Sequence, residues 1–343
     1  MRSAPVPELL DGAGSMLAPE LVTSQLPVVR GAQIAGLGAA LPPRVVINDE
    51  VGPPAGVDDA WIVRRTGISS RRHAEPGARL SDLAAQAARA ALEEAGVDGA
   101  DVDLVLVATI TGDRLTPSTA PLVADAISAG RAGAIDVGAA CTGFVSALSL
   151  ATAMIEAGRS QSALVVGAEI LSRHVDPADR RTAPIFADGA GAVLLECSGR
   201  AAIGPVTLGA DGSSAELIVA PRDTGLISMD GPEVFRHAVA RMAQATTEAC
   251  AASGARIDDV DLFVFHQANA RILGALAERL RLPEERVVNA IGEIGNTSAA
   301  SIPLALAQAR DDGRLGDGTR VLLAAFGAGL TWGATLVTWG RDV

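Results

Sequence analysis

Two stretches of the chain repeat one hydrophobic pattern. Residues 82–95 and 233–253 are alanine-rich with apolar residues on one helical face, so each predicts an amphipathic helix. A glycine follows each, Gly96 and Gly254, and then Asp-Val-Asp-Leu at the same spacing, 101–104 and 259–262. Short unalternating apolar runs come next, 105–107 and 263–265. Runs of that kind predict strands covered on both faces. The echo then predicts, in each half, a helix, a second strand and a small-residue loop entering a buried helix. In the first half that stretch is Ala-Ile-Asp-Val-Gly-Ala-Ala-Cys-Thr-Gly-Phe at 134–144. In the second it is Val-Val-Asn-Ala-Ile-Gly-Glu-Ile-Gly-Asn-Thr-Ser at 287–298. Paired strands should close each half, 163–167 with 191–196 and 320–326 with 332–339. Two βαβαβ-type copies predict a duplicated α/β fold with an internal pseudo-twofold and a site where the copies meet.

Two uncharged runs, 137–155 and 321–340, are long enough to suggest membrane spans. The first opens on small residues and continues as a helix apolar all round would. The second is broken by Gly327, Gly329 and Gly333 and predicts two strands joined by a turn. Both are expected to be buried core. Residues 1–28 contain proline and lack the basic start and apolar stretch of a signal peptide, so a flexible extension is expected there. The remainder divides into a half carrying the cysteine, 29–200, and a half carrying histidine and asparagine, 201–343.

Composition removes whole mechanisms. All 28 basic residues are arginine, and the chain has neither lysine nor tyrosine. That excludes pyridoxal-phosphate chemistry, lysine aldolases, and P-loop or kinase lysines. Acid–base work falls to four histidines, the carboxylates, or three cysteines. A net charge of −12 argues against nucleic acid as a partner. Three scattered cysteines fit a reducing, cytoplasmic compartment and suggest neither disulfides nor a zinc site.

Three positions carry candidate chemistry. Cys141 falls at a predicted strand-to-helix turn, where helix N-terminal N–H groups lower a thiol pKa and favour thioester exchange; the alternative is a core cysteine. Cys197 and Cys250 lack such a context and are expected in the core. His266 ends an apolar strand, where α/β folds place chemistry; His73, His174 and His237 lie in polar or helix-surface contexts. Asn296 suits a helix N-cap, an oxyanion donor, or both. Together the three fit either a papain-like hydrolase or a decarboxylating condensing enzyme. Their order and the duplicated frame favour the second.

At these residues the sequence resembles the thiolase-superfamily condensing enzymes, and among them the β-ketoacyl-acyl-carrier-protein synthase III family. The resemblance runs from about residue 29 to the C-terminus. It rests on Trp-Ile-Val-Arg-Arg-Thr-Gly-Ile at 61–68, Ala-Ala-Cys-Thr-Gly-Phe at 139–144, Asp-Pro-Ala-Asp-Arg at 176–180 and Ala-Asp-Gly-Ala-Gly-Ala at 187–192. His-Gln-Ala-Asn at 266–269, Gly-Asn-Thr-Ser-Ala-Ala-Ser-Ile-Pro at 295–303 and Ala-Phe-Gly-Ala-Gly-Leu-Thr-Trp-Gly at 325–333 complete it. The missing lysine departs from the elongating ketosynthases. No cysteine lies beyond Cys250 to serve as the second catalytic thiol of thiolases.

The resemblance implies a thiolase-like, five-layer αβαβα fold and a two-stage reaction. Cys141 takes an acyl group from acyl-CoA, with N–H groups of Cys141 and of the turn holding Ala328 and Gly329 around the first oxyanion. A malonyl thioester on an acyl carrier protein then loses CO2, and His266 and Asn296 stabilise the enolate that attacks the acyl-cysteine. Trp61 and Arg180 would sandwich the CoA adenine, with Arg65 near its phosphate. Asn269 and Gly231 would contact pantetheine, and Phe326 would line the site beside Cys141. No metal and no permanently bound cofactor are implied. Thr116 stands where many members carry a large aromatic reaching the partner's acyl pocket, which implies a primer longer or bulkier than acetyl. Leu330 replaces a frequent phenylalanine, and Ala328 a frequent glycine. Arg236, Arg241, Arg271 and Arg279 are candidates for docking an acidic carrier, with Glu278 interrupting them. A homodimer is implied through the sheet edge near 163–167 and the Thr116 loop. Two rivals stand beside condensation. One is a same-fold acyltransferase acting on an alcohol or amine, and the other is a non-catalytic subunit. Intact Asn296 opposes the first, and the intact trio opposes the second.

Overall fold

The computed structural model describes residues 30–341. The expected extension at 1–28 lies outside the described residues. The first half opens on β1 (Gly31–Ala40), followed by helix α1 (Asp59–Thr66), which lies between two short paired strands (Arg44–Ile47 and Ser70–His73), and by helix α2 (Leu80–Ala95). Then come β2 (Leu104–Ala108), α3 (Thr119–Ala126), β3 (Gly133–Val137), α4 (Gly143–Glu156), β4 (Ser162–Ile170) and β5 (Asp188–Ser198). The second half runs β6 (Thr207–Ala210), α5 (Gly231–Ala252), β7 (Leu262–Phe265), α6 (Ala270–Leu280), α7 (Ser301–Asp311), β8 (Arg320–Gly327) and β9 (Thr331–Thr338).

Each half forms its own sheet. The first has the order β1-β5-β4-β2-β3 and the second β7-β8-β9-β6. The predicted run after each Asp-Val-Asp-Leu is a fully buried strand, β2 and β7, paired in parallel with the central strand of its sheet. That central strand then pairs antiparallel with the strand after it, β4 with β5 and β8 with β9. Among the described residues the second sheet lacks a counterpart of β3. Only a single parallel bridge between Phe263 and Val287 remains. Gln267 accounts for the difference: its Nε2 donates to the Val288 carbonyl (3.2 Å) and its Oε1 accepts from Ala290 N (2.8 Å). The side chain thus takes hydrogen bonds that a fifth strand would use.

Three large hydrophobic clusters fill the spaces among five layers. Helices α2 and α3 pack on the outer face of the first sheet. Helices α5 and α6 cover the outer face of the second. Between the sheets lie α4 and α7, whose core draws on both halves, from Leu37 and Phe144 to Leu304 and Leu323. This is the αβαβα order of the thiolase-like fold. The uncharged run at 137–155 forms a turn and the buried helix α4, and 321–340 forms the β8–β9 hairpin. Among the described residues no helix is long and apolar enough to cross a membrane.

One expectation is corrected. Residues 163–167 do not form a sheet edge. They belong to β4, which is buried along its length between β5 and β2. The edge strands of the first sheet are β1 and β3, and on β3 Ile135 is 56% exposed. Strand order is a tertiary property, and an apolar run alone does not reveal which strands flank it.

Candidate active site

The two buried middle helices begin in the same unusual way. A short 3-10 turn precedes each, Ala140–Thr142 before α4 and Ser298–Ala300 before α7. Ala140 (φ 45°) and Ser298 (φ 49°) open these turns in the left-handed region. That conformation is costly for a residue with a Cβ, and its recurrence at equivalent places marks the two turns as one inherited device.

Each turn leans on the central strand of the other half. A Cβ at Gly327 of β8 would lie 2.9 Å from the backbone N of Cys141. A Cβ at Gly167 of β4 would lie 2.2 Å from the carbonyl O of Ala299. Glycine is required at both because backbone meets backbone there. The Asn296 backbone is clamped across the same interface, with its N donating to the Ile185 carbonyl (3.0 Å) and its carbonyl accepting from Ala187 N (2.9 Å).

These contacts bring Cys141, His266 and Asn296 to one cavity of about 560 Å³. His266 is buried at the end of β7, where its N–H donates to the Ala324 carbonyl of β8. Its Nδ1 lies 2.6 Å from Ser301 Oγ. Gln267 N donates to the same hydroxyl (3.4 Å), which keeps its own proton and a second lone pair to share with Nδ1. Burial holds the His266 pKa down to about 3, so the ring is neutral at ordinary pH. Asn296 is also buried, and its Oδ1 accepts from Ser298 N (2.9 Å). The amide Nδ2 is therefore the group left for the cavity. The side chain holds the first N–H of the 3-10 turn, whose N-cap is Thr297, and does not cap α7, whose N-cap is Ala300.

Cys141 departs from expectation. Burial pushes its thiol up to about 11, with the Ser298 side chain opposing the shift by hydrogen bonding and the charge of Glu169 adding to it. The turn provides N–H groups, but desolvation of a thiolate outweighs them in the resting site. Buried Cys250 is also pushed up by burial, as a core thiol is.

The other expected residues divide into two sets. Trp61, Arg65, Arg180, Gly231, Asn269, Arg271, Phe326 and Ala328 line the cavity. Asp58 caps α1 at Trp61 N (2.7 Å), and the Arg65 guanidinium lies over the indole at 5.6 Å. Asn269 caps α6 at Arg271 N and donates through Nδ2 to the Arg65 carbonyl (3.1 Å), which ties the two helices at the cavity wall. Thr116, Gly329, Leu330, Arg236, Arg241 and Arg279 are not among the lining residues. Leu330 is fully buried in the core under α5. Thr116 is exposed beside Leu115. Arg236 pairs with Glu233 on α5, and Arg241 stacks over Trp332 at 4.5 Å.

Several contributors were not singled out from sequence. Ser301 and Ser298 lie inside a motif whose hydroxyls had no assigned task. Glu169 gave a signal, since a carboxylate next to the apolar run 163–167 is unusual, but the strand's orientation was needed to place it. Apolar side chains such as Ile110, Leu171, Ile185 and Phe186 line the same cavity.

The chain matches the model of the 3-oxoacyl-[acyl-carrier-protein] synthase III family over residues 135–212. The C-terminal model of that family matches residues 250–339. The chain is similar to β-ketoacyl-[acyl-carrier-protein] synthase III 2 of Streptomyces coelicolor, 52% identical over 312 residues, covering 90% of this chain and 94% of that protein. It is similar in structure to 3-oxoacyl-(acyl carrier protein) synthase III of Pseudomonas aeruginosa, with a TM-score of 0.87, 44% identity, and coverage of 91% of this chain and 99% of that one. The priming β-ketosynthase of the R1128 polyketide biosynthetic pathway is likewise similar, with a TM-score of 0.87, 38% identity, and coverage of 92% and 98%.

Proposed function

The chain belongs to the 3-oxoacyl-[acyl-carrier-protein] synthase III family, and we propose that Cys141, His266 and Asn296 divide its reaction between them. The enzyme is an acyltransferase that takes an acyl group from acyl-CoA and condenses it with a malonyl group on an acyl carrier protein. It thereby starts a fatty-acid or polyketide chain, with acyl-CoA as a substrate and no permanent cofactor.

Cys141 attacks the acyl-CoA carbonyl. The backbone N–H groups of Cys141 and Ala328 face the oxyanion that forms, and the close approach of Gly327 supports this by setting the two turns against each other. CoA leaves and the acyl-cysteine remains. The malonyl thioester carbonyl then lies against His266 Nε2–H and Asn296 Nδ2, two neutral donors that stabilise the enolate formed as CO2 departs. The carbanion attacks the acyl-cysteine and releases a β-ketoacyl thioester. The observation that carries this assignment is the occupied Asn296 Oδ1, which leaves only a donor for the oxyanion.

Trp61 and Arg180 hold the adenine in this reading, Arg65 its phosphate, and Gly231 and Asn269 the pantetheine. All line the cavity. Arg271 and its neighbours on α5 and α6, Arg236, Arg241 and Arg279, form the landing for the carrier. Of these, Arg271 has the strongest support because it also lines the cavity. The enzyme works as a homodimer through β3. Asp136 on that edge accepts from Thr119 N (2.8 Å) and Ala120 N (2.6 Å), so the Thr116 loop and the free edge form one surface. An unprotected edge strand flanked by the 89% exposed Leu115 is a surface that a second copy would cover. The small Thr116 then leaves room in the partner's pocket for a primer longer or bulkier than acetyl.

A panel of acyl-CoAs tests the assignment. Mass spectrometry should show one acyl group on Cys141, and malonyl-carrier should then release CO2 and a β-ketoacyl product. Acylation followed by transfer only to free alcohols or amines would replace condensation with simple transfer. Highest turnover with acetyl-CoA would remove the primer assignment.

A further inference from the structure

Cys141 must lose a proton before its sulfur can attack, and neither partner in the site is placed to take it. His266 has its Nδ1 engaged by Ser301, the condensation step uses its Nε2–H as a donor, and Asn296 offers a donor. A base does stand on the other side of the thiol. Glu169 ends β4 with no exposed surface. Its Oε2 accepts from Thr111 Oγ1 (2.6 Å) and Thr109 Oγ1 (3.1 Å), and its Oε1 from Ser298 Oγ (3.2 Å). The N–H of Ile110 reaches both oxygens. Among the described residues no salt bridge reaches it. A carboxylate buried among neutral donors alone is rare and costly, which argues for a task. Ser298, which donates to it, lines the same cavity as Cys141, and its side chain holds that thiol's pKa down against burial. Ser298 thus stands between the cavity that holds Cys141 and the Glu169 carboxyl.

We propose that Glu169, acting through the Ser298 hydroxyl, takes the Cys141 proton during acyl loading and returns it when the product leaves. In loading, the S–H proton passes to Ser298 Oγ as the Ser298 proton passes to Glu169 Oε1. The sulfur lone pair forms the C–S bond, the bond to CoA breaks, and the CoA thiolate takes a proton from water. In condensation the C–C bond forms and the C–S bond to Cys141 breaks. The cysteine thiolate then regains its proton through Ser298. One solvent proton is consumed per turnover, and the malonyl carboxylate departs as CO2. While the acyl group is on the enzyme, Glu169 is neutral, so the enolate forms with no like charge buried beside it.

The electrostatics agree with this geometry. Burial pushes the Glu169 carboxyl up to about 7 against its four hydrogen-bonding neighbours, so it exchanges a proton near neutrality. Cys141 is the titratable group that feels its charge. His266 across the cavity is shifted by burial alone. The segment after β2 contributes only Thr109, Ile110 and Thr111, and the turn before α7 only Ser298.

The proposal rests on the condensing-enzyme reading, and one experiment separates the two. Single-turnover acylation of Cys141 by an acyl-CoA is followed by mass spectrometry from pH 5.5 to 9.5 in the wild type, Glu169→Gln and Ser298→Ala. The wild-type rate should rise with pH and level off above about 7. Both variants should lose that limb and load roughly 100-fold more slowly at neutral pH, the scale of general acid–base catalysis. Ser298→Ala is the safer variant for folding, because alanine already adopts the same backbone conformation at the equivalent Ala140. A folded Ser298→Ala enzyme that keeps the wild-type rate and limb overturns the relay. Absence of acylation in the wild type at every pH overturns the condensing-enzyme reading instead.

Discussion

The turn before α4 and the turn before α7 share a backbone and differ in chemistry. Both open on a left-handed non-glycine residue, and both abut a glycine of the opposite central strand. One then carries a thiol at Cys141, while the equivalent place in the other is Ala299, fully packed in the core. The second turn places its reactive group earlier, at Asn296, and adds His266 from the neighbouring strand. The duplicated frame thus supplies two equivalent seats. One holds a nucleophile with an acidic neighbour, and the other holds neutral hydrogen-bond donors. A geometry that suits forming a covalent bond on one side suits stabilising an enolate on the other, because both need groups held by backbone facing one cavity.

The sharpest break of that comparison is Cys141→Ala. It should abolish the acyl-enzyme seen by mass spectrometry and cut turnover by about 10⁴-fold or more, the scale for loss of a covalent nucleophile. The second turn should respond differently. His266→Ala or Asn296→Ala should lower CO2 release from malonyl-carrier by about 10²–10³-fold while leaving Cys141 loading measurable. Equal loss in both steps would erase the division of labour.

Thermal stability against pH sharpens the contrast, because the two seats titrate with opposite sign. Glu169 is raised from 4.5 to about 7, so its contribution is full below 4.5 and lost as pH rises through about 7. His266 is lowered from 6.5 to about 3, so its contribution is full above 6.5 and lost as pH falls toward 3. Glu169→Gln should flatten the Tm decline that accompanies a rise in pH from about 4.5 to 7, and His266→Gln the decline that accompanies a fall from 6.5 toward 3.

The glycine contacts test the shared frame. Gly167→Ala forces a Cβ against a carbonyl oxygen and should destabilise by about 3 kcal/mol, whereas Gly327→Ala should cost about 1 kcal/mol and read mainly as slower loading. The smallest effect belongs to the cavity's charged rim. Arg271→Glu should reduce carrier-dependent turnover about three- to tenfold without changing acyl-CoA loading.

Much of this is legible in the amino-acid sequence. The spacing from Gly96 to Leu104, repeated from Gly254 to Leu262, is enough to predict the duplication. The three site residues follow from where that duplication puts strand ends and helix starts. Burial was not legible in the same way. Cys141 at a helix start suggests a lowered pKa, but the desolvation that reverses the sign depends on what surrounds it. Glu169 follows the same rule, since a carboxylate at a strand end looks alike whether it faces water or protein. The edge at β3 escaped because the linear order β2, β3, β4, β5 becomes β5-β4-β2-β3 in space. Gln267 looked like polar flanking sequence, yet it replaces strand hydrogen bonds that the second half lacks.

The clamp on Asn296 has a consequence for how the gene could be cut. Ile185 and Ala187 of the first half hold its backbone, and Gly327 of the second half supports Cys141. A chain opened between Ser198 and Thr207 would release two fragments, each bearing one seat but lacking the brace that shapes it. Neither fragment should load or decarboxylate alone, while mixing the two should restore both activities together. Inheritance of the two halves is therefore joint: a substitution that moves one turn is felt first by the reactive group of the other.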